Sequence, residues 1–127
     1  MSKYVLDASS VLALLNQEPG QEKVEAILAD SVISAVNYCE VLGKLIEAGL
    51  PEEDAQESFD LLSIEIINFN ADLARLAAAL RPTTKKMGLS LGDRSCLALG
   101  LERRNIVVTA ERAWAKLRIG VKIDLIR

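Results

Sequence analysis

The sequence predicts an α/β domain, a three-layer α/β/α sandwich around a mostly parallel central sheet. Two observations carry this expectation. Five short runs rich in Val, Ile, Leu and Tyr, at residues 3–6, 32–34, 64–68, 106–109 and 121–125, read as strands. Helical periodicity fills the intervals between them, and alternating strands and helices favour a parallel sheet with helices packed on its faces. The runs at 3–6, 64–68 and 106–109 are nearly continuous in apolar residues, the pattern of parallel strands covered on both sides.

The helices follow in order. Residues 9–16 and 21–29 form a helical pair broken at Pro19-Gly20. Residues 35–48 end at Gly49, and Pro51 opens a helix over 52–62. Residues 70–80 place Leu73, Leu76, Ala77 and Leu80 at helical spacing, and 92–104 form a further helix. Residues 81–89, with Pro82 and Gly88, read as the one sizeable loop. No repeat, low-complexity tract or linker interrupts the chain, so all of residues 1–127 are read as one domain.

Composition narrows the chemistry. Half the 127 residues are hydrophobic, enough for a core without staples. No window holds the roughly 20 uninterrupted apolar residues of a membrane-spanning helix, and no export leader is read at the start. Cys39 and Cys96 are far apart, without paired spacing, and fit free thiols of a reduced, cytoplasmic protein. The chain has no histidine, which removes Ser-His-Asp and Cys-His nucleophiles and the usual zinc ligand. Hydrolytic chemistry then rests on carboxylates, lysines, hydroxyls or hard cations bound by oxygen. A net charge of −3 makes the whole molecule a poor polyanion binder, although bound cations would change the local field.

Four acids stand out. Asp7 ends the first strand, at the sheet edge where α/β proteins bind ligands; the competing role for Asp7 or Ser9 is a helix cap. Glu40 sits at the border of an apolar stripe formed by Val36, Cys39, Gly43 and Ile46, and a carboxylate turned toward a core needs a partner or a metal. Its competing role is a capping box with Asn37. Asp93 shares a helix face with Cys96, Leu97, Gly100 and Leu101 and so points inward, but Ser90 and Asp93 also fit a capping box. Glu111 follows the strand ending at Thr109, which can cap the helix it opens. Each acid alone has an ordinary explanation. Together they can ring one pocket, where mutual repulsion favours divalent cations that assist phosphodiester hydrolysis.

Four segments then resemble the PIN-domain family. They are Tyr4-Val5-Leu6-Asp7-Ala8-Ser9, Ser34-Ala35-Val36-Asn37-Tyr38-Cys39-Glu40, the stretch from Leu89 through Asp93 to Leu99, and Val108-Thr109-Ala110-Glu111-Arg112-Ala113-Trp114. The likeness is to its VapC-type ribonuclease toxins of type II toxin–antitoxin pairs and spans residues 3–114. It implies an endoribonuclease dependent on Mg2+ or Mn2+, cutting single-stranded or loop RNA by metal-assisted hydrolysis to 5′-phosphate and 3′-hydroxyl ends. By resemblance, Asp7, Glu40 and Asp93 are metal-binding acids, and Glu111 replaces an aspartate typical of the family. Ser9, Asn37 and Thr109 match supporting polar positions. Lys85, Lys86 and Arg112, with Lys116 and Arg118, are candidates for phosphate contact. The resemblance further implies a cognate antitoxin laid across the active-site groove, and a homodimer. Helical surface for either comes from 21–29 and 52–62. Trp114 is expected in the core.

Two other readings compete. A receiver-like signalling domain needs an aspartate closing the middle strand and a lysine after the last strand; residues 64–68 lead instead to Asn70 and Asp72. A PIN-like scaffold or RNA-binding module with degenerate acids draws on the Glu111 departure.

Overall fold

The computed structural model describes residues 2–127. Strands β1 (Tyr4–Leu6), β2 (Ser31–Ser34), β3 (Glu65–Ile67), β4 (Ile106–Thr109) and β5 (Ile123–Leu125) form one sheet. Its order is β3-β2-β1-β4-β5, with every neighbouring pair parallel. The expected α/β class and all five strands are found. The order differs from the 2-1-3-4-5 arrangement of receiver-like folds, so the third strand lies at an edge and β1 at the centre.

Seven α-helices connect the strands among the described residues: α1 (Ala8–Leu15), α2 (Gln21–Ile27), α3 (Ala35–Glu47), α4 (Glu52–Asp60), α5 (Ala71–Ala79), α6 (Arg81–Thr84) and α7 (Leu91–Arg103). Strand alternation divides the core in two. Leu6, Ile33 and Val108 face one side and pack with Val11, Val24, Val41, Ala55 and Phe59 from α1 to α4. Val5, Val32 and Val107 face the other side, against Leu73 and Ala77 of α5, Leu97 of α7, and Trp114. Trp114 is buried, as expected.

Three expectations are corrected. The apolar run of β3 is not covered on both faces; it is an edge strand whose Glu65 and Ile66 are exposed. The fully buried strand is β2, whose serines disguise it: Ser31 Oγ donates to Ile27 O, and Ser34 Oγ accepts the Val36 amide at the start of α3. Residues 81–89 are not one loop. They hold α6 and a 3-10 turn, Lys85–Met87, because Pro82 suits a helix start and Gly88, at φ 66°, closes the turn.

The third correction concerns α3. Its core face is Asn37, Val41 and Leu45, whereas Cys39, Gly43 and Ile46 of the anticipated stripe are exposed. The helix packs against α1, α4 and α7, and those neighbours decide which side is covered. The apolar residues of α2 and α4 likewise serve this chain's own core through Val24, Ala55 and Phe59. Leu61, just beyond α4, is the large exception, 78% exposed.

Candidate active site

A cleft of about 190 Å³ opens beyond the C-terminal ends of β1 and β4. It is lined by Asp7, Ser9, Glu40, Asp93 and Glu111, together with Leu12 and Lys44. Crossovers on either side of the two central strands leave a crevice at this edge. The four acids come from four separate segments of the chain, so their convergence is a product of the topology.

Asp7 is 4% exposed. It occupies the N-cap position of α1, but its side chain caps nothing. Only its backbone carbonyl serves the helix, accepting from the Ser10 amide at 3.0 Å. The carboxylate turns instead to two hydroxyls: Ser9 Oγ donates to Oδ2 at 2.6 Å and Thr109 Oγ1 donates to the same oxygen at 2.9 Å. Each hydroxyl also accepts a backbone amide, Ser9 from Ala110 and Thr109 from Glu111, both at 3.0 Å. The ends of β1 and β4 are thereby stitched together. Burial pushes the Asp7 carboxyl up to about 6, against the opposing effect of the two hydroxyl donors; the charges of Asp93 and Glu40 raise it further.

Glu40 is half-buried on α3. The cap of that helix is Ser34, so Asn37 is free of capping duty. Asn37 is completely buried, and its Nδ2 donates to Glu40 Oε1 at 2.8 Å and to Gly92 O at 3.0 Å. One amide thus holds the carboxylate and ties α3 to the first turn of α7. Gly92 matters for space: a Cβ there would overlap the Glu40 carboxylate. Burial raises the Glu40 pKa, the Asn37 bond opposes that, Asp93 adds to it and Lys44 offsets it.

Asp93 both caps a helix and reaches the cleft. It completes the capping box of α7, with Oδ2 accepting the Ser90 amide at 2.9 Å and its own amide donating to Ser90 Oγ at 3.1 Å. The same side chain lines the cleft. Glu111 stands at the exposed rim, just before a 3-10 turn, Arg112–Lys116, and not inside a helix. Beneath the acids lies Cys96, completely buried. Burial, and then Asp7, Asp93 and Glu40, push its thiol well above the ordinary range. Both cysteines are free.

The expected phosphate-contact residues do not line the cleft. Lys85 and Lys86 are exposed in the turn after α6, and Arg112 is exposed beyond Glu111. The cation that does line it is Lys44, which the sequence reading missed. Its spacing, one helical turn after Glu40, was the available signal. Among the described residues Lys44 forms no ion pair.

The donors suit a hard divalent cation, since all are carboxylate oxygens, and their crowding helps to raise the pKa of Asp7 and Glu40. Among the described residues no three of them close into a preformed cage.

A parallel α/β domain with an acid-lined cleft beyond its central strands defines the class. A profile of the PIN domain family matches residues 4–120, and the chain belongs to that family. No protein of curated function matches the chain by sequence. Solved structures share the fold. A DNA-bound VapBC of Salmonella typhimurium superposes with a TM-score of 0.78 at 19% identity, covering 100% of both chains. VapBC2 of Rickettsia felis, bound to a promoter DNA fragment, gives 0.74 at 19% identity over 95% of this chain and 96% of that one. A toxin–antitoxin complex of Klebsiella pneumoniae gives 0.73 at 22% identity over 98% of each.

Proposed function

We propose that this chain is a divalent-metal-dependent endoribonuclease, the VapC-type toxin of a toxin–antitoxin pair. The observation that carries this reading is the convergence of Asp7, Glu40, Asp93 and Glu111 on one cleft, with Asp7 buried and its pKa raised. The likeness to VapBC and toxin–antitoxin complexes supports the toxin assignment and an antitoxin partner; the homodimer is a further part of this proposal. Among the described residues no helix is long and apolar enough to cross a membrane, in keeping with a cytoplasmic site of action.

In this reading Asp7, Glu40 and Asp93 hold the metal, and Glu111 reaches in from the rim. Bound Mg2+ or Mn2+ would supply electrophilic stabilisation and an acidified water. Ser9 and Thr109 fix the Asp7 carboxylate through one oxygen and, among the described residues, leave the other without a side-chain donor. Asn37 orients Glu40 in the same way, and the Ser90 amide orients Asp93. Such supporting contacts matter about as much as the ligands they hold. Lys44 takes a non-bridging phosphate oxygen of the strand, and Arg112, Lys85 and Lys86 extend the grip outside the cleft.

The test is cleavage of a mixed RNA pool by purified protein with Mg2+ or Mn2+, with EDTA, and with Asp7→Asn and Asp93→Asn. Metal-dependent cleavage lost in EDTA and in both variants is expected. Folded protein that neither cuts RNA nor binds either metal by calorimetry would sink the reading and leave a PIN scaffold without chemistry.

A further inference from the structure

A second and larger cleft, about 500 Å³, opens at the opposite edge of the sheet, where β4 and β5 begin and α7 ends. Nothing in the proposed nuclease reaction uses it. Arg104, Lys122 and Asn105 supply its polar wall, and among the described residues no carboxylate lines it. Among the described residues neither cation pairs with an acid. The rest is apolar: Leu101, Ile106 and Val121 line it beside Gly120, while Gly100 is buried with the side chains of Val107 and Val121 filling the space over it.

A basic residue near a helix C-terminus is ordinary, since it complements the terminal carbonyls. That account covers Arg103, in the last turn of α7. It does not cover Arg104, which sits in the left-handed region at φ 56°, ψ 39°. Glycine or asparagine normally fills such a position. Two of the four terminal carbonyls are also engaged by backbone: the Arg104 amide donates to Leu101 O at 3.3 Å and the Asn105 amide to Gly100 O at 3.1 Å. An exposed guanidinium kept at a backbone position that disfavours it, lining one cleft with a second unpaired cation and apolar side chains, suits ligand binding.

We propose that this cleft is a nucleotide-phosphate site. Arg104 and Lys122 hold the phosphate through charge-assisted hydrogen bonds. The apolar wall of Leu101, Ile106, Gly120 and Val121 receives the flat face of a base, and the side-chain carbonyl of Asn105 meets its polar edge. The volume suits a single nucleotide. The phosphate comes either from a free nucleoside monophosphate or from the 5′ end of an RNA strand. The site stands apart from the acidic cleft, so it survives if the nuclease reading fails.

The experiment titrates intact protein in EDTA with a nucleoside 5′-monophosphate, inorganic phosphate, and a short RNA carrying a 5′-phosphate or a 5′-hydroxyl. Binding is followed by amide chemical shifts and calorimetry. The monophosphate is expected to shift amides around residues 100–105 and 120–122. Arg104→Gly and Lys122→Gln are each expected to weaken it about tenfold. Arg104→Gly should melt no lower than the parent, because glycine is at ease in the left-handed region. Preference for 5′-phosphorylated over 5′-hydroxyl RNA, with tighter binding than the mononucleotide, identifies an RNA end as the source. Equal binding of mononucleotide and phosphorylated RNA identifies the free nucleotide. The proposal is overturned by absence of binding, by inorganic phosphate binding as tightly as the nucleotide, or by affinity unchanged in the Arg104→Gly/Lys122→Gln double variant.

Discussion

The two edges of the sheet carry opposite charge and hold it differently. At the C-terminal edge three acids are tied down: Asp7 by two hydroxyls, Glu40 by Asn37, Asp93 by the Ser90 amide. At the N-terminal edge Arg104 and Lys122 pair with no acid among the described residues. Fixing like charges in a partly buried cleft destabilises the fold unless something binds there. Leaving opposite-edge cations loose at the surface costs little, because solvent screens them. The acidic edge therefore trades stability for placement, and substitutions there should separate the two.

Asp7→Asn should give the largest effect. Cleavage in Mg2+ or Mn2+ is expected to fall about a thousandfold or more, the scale for losing a group that acts in concert with others. Stability of the metal-free protein should move the opposite way. The folded Asp7 pKa is raised from 3.8 to about 6, so between those values the native state binds more protons than the unfolded one. Stability falls as pH rises through that window, and above pH 6 the cost of the ionised, buried carboxylate is fully present, about 3 kcal/mol. Removing the charge should recover most of that at pH 8 and nothing below pH 4. Urea unfolding in EDTA at both pH values measures it; a variant less stable than the parent at pH 8 would contradict the assignment.

Gly92→Ala comes next. The new methyl group meets the carboxylate end of the Glu40 side chain and not backbone, so the carboxylate should be displaced from Asn37 while the helix gains up to about 1 kcal/mol in propensity. Cleavage is expected to drop about a hundredfold, the cost of misplacing a group by about an ångström, with the melting temperature unchanged or higher. Lys44→Gln should act more mildly, raising KM about tenfold with kcat nearly constant, as expected for a phosphate contact made equally in ground and transition states. The mildest probe leaves the sequence alone. A thiol reagent should modify exposed Cys39 in the native protein and reach Cys96 only on unfolding, since that thiol is buried and held protonated; mass spectrometry distinguishes the two sites.

Much of this arrangement was legible in the sequence, and the failures have a common cause. Strand and helix alternation gave the fold class because periodicity is a local property. The faces of α3 were misjudged because Asn37 is buried by partners from distant segments: Gly92 O reaches it from α7. Hydropathy assigns an asparagine to the outside; only the tertiary hydrogen bonds put it inside. β3 was misplaced because strand order is not written in strand composition. The acids were found individually, yet each had a capping role available, and the structure decides case by case. Asp7 and Glu40 cap nothing with their side chains, while Asp93 does so and lines the cleft as well. Lys44 was overlooked because an exposed lysine on a helix looks like any other until the cleft around it is formed.

Helix α7 reaches both edges. Its first turn carries Asp93 and Gly92, and its last residues lead into Arg104. From Gly92 to Gly100 every residue except Asp93 is buried, so the helix cannot slide without opening the core on both faces of its packing. With 13 residues it is about 20 Å long, and it acts as the fixed bar of a caliper whose jaws are the two clefts. A single nucleotide is too short to close that gap, so no one small ligand spans both jaws. Only a polymer can touch both, and the bar sets the minimum length it must have.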